Sequence, residues 1–262
     1  MSDNKVRDGI NWYGAYSMTL RETHRFFRVY HQSIIAPIST AMIFLCIFSL
    51  SIGNHRAEIN NVPFIEFMAL GLIMMSMIQN AFANSSSSLI MSKVIGYITD
   101  ILMPPLQGFE IVLAYVTSSI IRSIIIGVGI FFIMWCFINF DIKHPLYLVF
   151  VTIGTCIFFA NLGIIAGLVS NTFDQMSALT NYVIMPLSFL SGTFYSTHQL
   201  PDWLQMVDLI NPFFYMIDGF RYCFIDHADS NLFVGAGILT IGNVMLWILT
   251  VHLINIGWRL KS

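Results

Sequence analysis

Three sets of side chains in this sequence can do more than fill space, and their spacing limits what each can do. Arg21, Arg25 and Arg28 recur at i, i+4 and i+7 in the stretch Trp12 to Tyr30, which also holds Trp12, Tyr16, Leu20, Phe27 and Tyr30. At about 100° per residue the aromatic set falls on one side of a helix and the arginines nearly opposite. A basic face against an aromatic face suits a helix lying in a membrane headgroup layer; a solvated charged linker is the other reading. Arg122 is the one cation inside an apolar run. A guanidinium there either snorkels to headgroups or pairs with an acidic residue. The third set is amides. Gln79, Asn80, Asn84, Asn161 and Asn181 sit in or beside apolar stretches, where such groups hydrogen-bond between helices or contact a bound molecule. Covalent chemistry has no support. The seven histidines never cluster, and no HExxH, paired carboxylate or nucleophile–base spacing occurs, so no metal or catalytic site is expected. Cys46, Cys136, Cys156 and Cys223 stand singly, as small core fillers do. No Gly-rich phosphate loop ends in Gly-Lys-Ser/Thr, so the chain has no nucleotide site of its own.

Only a membrane positions such side chains. Of 262 residues, 56% are hydrophobic and 10% charged, where a soluble domain is nearer a quarter charged. The expected class is an all-α integral membrane protein in one domain spanning 1–262. The net charge of −2 says nothing about partners, and no nucleic-acid partner is expected. A polar leader opens the chain, with no signal peptide. After the interfacial helix at 12–30 come six apolar spans: 34–53, 64–83, 109–138, 146–169, 178–194 and 232–257. The fifth is only marginally long enough to cross. The third would reach roughly 45 Å as a helix, so it should project beyond the bilayer and leave Arg122 at the inner leaflet boundary. Gly163 and Gly167 form a GxxxG pair in the fourth span, and Gly235 and Gly237 open the sixth.

Two connections carry more than chain reversal. The loop 84–108 holds Ser92 to Leu102, a short foldable helix ended by Pro104-Pro105. Val94, Ile98 and Ile101 recur there at i, i+4 and i+7, with Lys93 and Asp100 among them. Such a helix is either a docking knob for a soluble partner or an ordinary surface turn. The region 195–225 contains the amphipathic LPDWLQMVDLI and restarts at Asn211-Pro212, a strong helix-opening pair. Pro212 to Ile225 makes roughly 21 Å of helix, short of a 30 Å core, so it dips in and returns or lies on the surface. Arg221 is in this piece. Counting Lys and Arg outside the spans gives eight on the side of Lys5, Arg7, Arg21, Arg25, Arg28, Lys93, Arg259 and Lys261, against Arg56, Lys143 and Arg221 on the other. Both termini should therefore be cytoplasmic and 195–225 external.

Four passages, taken in order, resemble the membrane subunit of type-2 ABC transporters, and within that family the bacterial YadH-like permeases. They are LRETHRFFRVYHQSIIAP, FIEFMALGLIMMSMIQNAFANSSSS, DILMPPLQGFEI, and the pair PLSFLSGTFYSTHQLPDWLQ with NPFFYMIDGFRY. The resemblance implies six transmembrane helices, an N-terminal interfacial helix, a cytoplasmic coupling helix, and re-entrant helices between spans five and six. It implies a homodimer in the bacterial inner membrane, docked on two copies of a separate ATPase that binds ATP and Mg. It places the coupling contacts at Lys93, Val94, Ile98, Asp100 and Ile101. The loop MSKVIGYITDILMPP has one acidic residue where the family often carries more charge, which leaves those contacts less well defined. The implied function is export of a hydrophobic or amphipathic compound, drug-like or lipid; a lipid-linked polysaccharide is the alternative. An ion-coupled secondary transporter would show internal repeats and buried ionisable groups, and a membrane-embedded enzyme would cluster Asp, His or Arg at one face. Neither pattern is present.

Overall fold

In the computed structural model the described residues are 10–52, 58–59, 62–99, 103–104, 106–138, 140–197 and 200–259. Asp100 and Ile101, like Lys5, Arg7, Arg56 and Lys261, lie outside them.

Asn11 starts the first helix, its side chain accepting from the Gly14 amide at 3.0 Å. The helix, α1 (Trp12–Arg28), has three faces rather than the expected two. Ala15, Met18, Glu22 and Phe26 are buried, Trp12, Tyr13, Tyr16 and Phe27 are exposed, and the arginines occupy a third sector. A π turn, His31–Ile35, leads into α2 (Ala36–Ile52). Two-residue strands β1 (Glu58–Ile59) and β2 (Val62–Pro63) pair antiparallel before α3.

The helix α3 runs unbroken from Phe64 to Ile95, 32 residues and about 48 Å, and stops at Gly96, whose φ of 88° ends it in the left-handed region. The sequence reading ended this span at residue 83 and began a loop there. The polar run does not break the helix because its hydroxyls are satisfied on it: Ser85 and Ser86 donate to Phe82 O, and Ser92 to Leu89 O. Their small size also admits α5 (Pro145–Val169) at close range. A Cβ on Gly163 would stand 2.2 Å from Ser85 Oγ and 2.4 Å from Phe82 O, and one on Gly167 would be 3.0 Å from Leu89 Cβ. The GxxxG pair thus faces α3, as its spacing suggested. Gly235 packs on Tyr215, whereas a Cβ on Gly237 would meet nothing within 4 Å among the described residues.

Glu110 sets the start of α4 (Gly108–Trp135), accepting from Gln107 N at 2.7 Å and from Asn11 N on α1. The fifth expected span begins earlier and is one continuous helical run with a widened middle: α6 (Phe173–Leu179), a π turn (Thr180–Ile184) and α7 (Met185–Leu190). Pro186 explains the widened turn, since its ring clashes with the carbonyl four residues back and offers no N–H. Next come α8 (Asp202–Ile210) and α9 (Pro212–Ile225), capped by Asn211 Oδ1 from Phe213 N at 3.1 Å, and then α10 (Leu232–Asn255). The bounds of α9 are those read from sequence. Among the described residues, five helices are long and apolar enough to cross a membrane: α2 with its π turn, α3, α4, α5 and α10. Their burial is uneven. The crossing window of α3 is 78% buried, against 17% for α2 and 11% for α10, so α3 is the axis of the bundle.

Candidate functional site

The helices α2 and α3 and the α6–α7 segment enclose a groove of about 480 Å³. Its wall is mainly apolar, with Phe44, Leu72 and Phe189, and is interrupted by Thr40, Gln79 and Asn80. Gln79 Nε2 is buried with no hydrogen-bond partner among the described residues. A concave apolar surface with a few polar groups suits an amphipathic molecule.

Behind the groove a polar network joins α3 to α4 and α1. Arg122 Nη2 donates to Asn80 Oδ1 at 3.0 Å, and Nη1 reaches Asn84 Oδ1 at 3.5 Å. Asn84 Oδ1 also accepts from Arg25 Nη2 at 3.2 Å, while its Nδ2 donates to Ser118 and Ser119 at 3.1 Å each. Arg25 Nε then meets Glu22 Oε2 at 3.0 Å, Arg21 Nη2 meets Glu22 Oε1 at 2.9 Å, and Ser88 Oγ donates to the same buried carboxylate. Arg122 therefore neither snorkels nor pairs with an acid. Two asparagines of the neighbouring helix receive its Nη1 and Nη2, while its Nε is buried without a partner among the described residues. Glu22 was missed by sequence reading, although its i, i+3 spacing to Arg25 was a usable signal.

The coupling stripe is not one surface. Lys93 and Val94 end α3, Gly96 breaks the helix, and Ile98 belongs to a new turn. Ile98 is 7% exposed and packs inside the chain with Met18, Ile111 and Tyr115, so it cannot fill a partner's groove. Lys93 is no rim charge either. Its Nζ donates to Gly167 O at 3.3 Å, Leu168 O at 2.9 Å and Ser170 O at 2.6 Å, capping α5 with a cation where the helix leaves carbonyls unpaired. Val94 is exposed. What remains open beside α1 is a cleft of about 400 Å³ bounded by Tyr13, Met18, Arg21, Pro104 and Leu106.

At the opposite end, α9 is locked to the turn after α7. Asn211 Nδ2 donates to Leu187 O at 3.1 Å and to Ser191 Oγ at 2.8 Å. Arg221 is 2% exposed, lies 3.6 Å over the Phe67 ring and donates to Gly192 O at 2.8 Å. It belongs to the interior rather than to the surface charge counted for orientation. Asn161 is buried and donates to Ile157 O at 2.9 Å; Asn181 is exposed on the π turn, and neither lines the groove.

Asp208 on α8 is buried and, among the described residues, neither carboxylate oxygen has a hydrogen-bond partner. Burial lifts its pKa from 3.8 to about 6. Burial likewise pushes the Tyr195 phenol up to about 12, with the Asp208 charge adding to the rise. A carboxyl whose folded pKa is raised binds its proton more tightly in the native state, so stability falls as pH climbs from about 4 through 6. Asp208→Asn should remove that loss. In thermal unfolding of the purified protein, the variant should melt higher than the parent at pH 8 and alike at pH 4. A lower melting point at pH 8 contradicts the assignment.

A family profile described as "ABC-2 type transporter" matches residues 13–225. The chain is 32% identical over 253 residues to the inner membrane transport permease YadH of Escherichia coli (strain K12), covering 97% of this chain and 99% of that protein. It is 22% identical over 249 residues to nodulation protein J of Rhizobium leguminosarum bv. viciae, covering 94% of this chain and 95% of that one. Over 187 residues it is 22% identical to the inner membrane transport permease YhhJ of E. coli K12, covering 71% of this chain and 44% of that protein.

Proposed function

Since the chain belongs to the ABC-2 type transporter family, we propose that it is the membrane-spanning permease of an ATP-driven exporter in a bacterial inner membrane, moving a hydrophobic or amphipathic compound. The groove between α2, α3 and α6–α7 carries the substrate part of this reading. Its apolar wall and few amide and hydroxyl groups suit a small amphiphile or lipid better than a hydrated glycan chain. In this reading α6–α7 is the sixth crossing segment, α8 and α9 form the external re-entrant region, both termini are cytoplasmic, and the permease pairs with a second copy. Two ATPase copies would dock below. With Ile98 and Lys93 committed inside the chain, their contact shifts to the cleft beside α1 and to exposed Val94, Ile95 and Met103. Movement there would reach the groove through Glu22, Arg25, Asn84, Arg122 and Asn80, which fits a two-state bundle biased from one end.

Gln79 gives the test. Gln79→Leu removes the unpartnered donor and keeps the volume. With the cognate ATPase in proteoliposomes, the concentration of an acceptor-bearing amphiphile that half-stimulates hydrolysis should rise about tenfold, the worth of one good hydrogen bond. Purely apolar compounds should be unaffected. An identical response to both classes removes Gln79, and the groove with it, from the substrate site.

A further inference from the structure

A second cavity, of about 290 Å³, lies on a different face of α3, among α3, α4, α5 and α9. Ile73, Met77, Phe131, Val149 and Phe224 line it, and its surface is wholly apolar. Such a space does not hold water. It opens sideways, because Val128, Val149 and Ile153 of its wall are exposed on α4 and α5. Both of those helices are long and apolar enough to cross a bilayer, so the medium at this opening is lipid.

One end of the cavity is chemically distinct. Ile142 and Phe224 belong to the lining, and the residues just beyond them carry charge. Lys143 N and His144 N both donate to Cys223 O, at 2.9 and 3.2 Å, fixing the α4–α5 connection over the last turn of α9. Lys143 Nζ donates to Ile225 O at 3.2 Å, one bond for a group with three donors. Asp226, 53% exposed, meets His144 Nε2 at 2.8 Å. A cation and a carboxylate thus stand together where the apolar slot ends. A phosphate suits Lys143, and an amine suits Asp226. A headgroup of net negative charge fits less well, since Asp226 and the exposed Asp141 flank the one lysine.

We propose that this cavity holds an acyl chain of a zwitterionic amine–phosphate lipid, its headgroup seated between Lys143 and Asp226. The inference is independent of what the transporter carries. The site is a fixed lipid position on the outside of the bundle, separate from the groove, and a lipid there would brace α9 against α4 and α5.

Photoreactive lipids test it on the full-length protein in nanodiscs. Phosphatidylethanolamine and phosphatidylglycerol, each with a diazirine near the acyl end, are compared by mass spectrometry of the labelled peptides. The ethanolamine probe should label residues 124–131 and 148–153 well above the exposed α10 residues Val244 and Ile248, which sample bulk lipid. Val149→Trp fills the slot and should bring cavity labelling down to the α10 level without changing α10. Lys143→Ala should cut the preference for ethanolamine over glycerol headgroups by about fivefold, the scale of an exposed charge contact. Equal labelling of cavity and α10 peptides, or labelling that survives Val149→Trp in a protein of unchanged size-exclusion profile, overturns the site. Equal labelling by the glycerol lipid overturns the headgroup assignment.

Discussion

Gly163→Ala should lower the melting temperature and cut the amount of folded protein in the membrane several-fold. The added carbon would stand 2.4 Å from the Phe82 carbonyl oxygen, a backbone atom that cannot turn aside, and 2.2 Å from Ser85 Oγ. Relief requires α3 and α5 to separate along their contact. Overpacking of this kind costs about 1–3 kcal/mol. Separation also breaks the buried bond from Ser85 Oγ to Ala160 O at 2.8 Å, adding about 1 kcal/mol. Against a total stability of roughly 5–15 kcal/mol that is a large fraction. Membrane levels and melting temperature in detergent measure it. Gly237→Ala is the control: with nothing within 4 Å, it should be neutral or gain up to about 1 kcal/mol from helix propensity. Normal levels and melting for Gly163→Ala contradict the close α3–α5 contact.

Arg221→Lys should abolish transport although the charge is kept. The guanidinium is used as a plane, stacked 3.6 Å over Phe67 while its Nη2 donates to Gly192 O at 2.8 Å. An ammonium reproduces neither geometry. The stacking of a desolvated cation is worth about 2 kcal/mol, and a buried bond from a charged donor about 1.5–3. Gly192 itself holds a φ of 71°, a left-handed turn conformation that glycine adopts without strain. The expected phenotype is correct insertion, a lowered melting temperature and a more than tenfold loss of transport. A lysine variant with parental melting and transport would show that Arg221 contributes charge alone.

The sequence located most of the crossing segments and the start and end of α9, because apolar runs and the Asn211-Pro212 pair are local signals. It failed where a tertiary partner decides. Hydropathy reads Asn84 to Ser88 as the end of a span, yet serines satisfied on their own helix beneath two glycines of α5 continue it. Ile98 shares a stripe with Val94 on paper, but Gly96 lies between them and redirects the chain. Likewise the arginine face of α1 was visible, but Glu22, on the buried face beside it, was concealed by being a single acid among bases. Lys93 could not be read as a cap because the carbonyls it meets are more than seventy residues away.

The serine run of α3 also bears on how the chain is made. Ser85 precedes its partner Ala160 by 75 residues, so at 5–20 residues per second it waits roughly 4–15 s during synthesis before that partner exists. Its hydroxyl needs no chaperone meanwhile, since carbonyls of its own helix already accept it. Asn84 has no such provision among its bonds. The groups that receive its amide, Ser118 and Ser119, trail it by 34 and 35 residues, a gap of roughly 2–7 s. Its oxygen is better served, because Arg25 is made before it and can hold it from the moment α3 forms. The nascent first helix thus acts as a waiting station for a strongly polar side chain that α3 cannot accommodate alone.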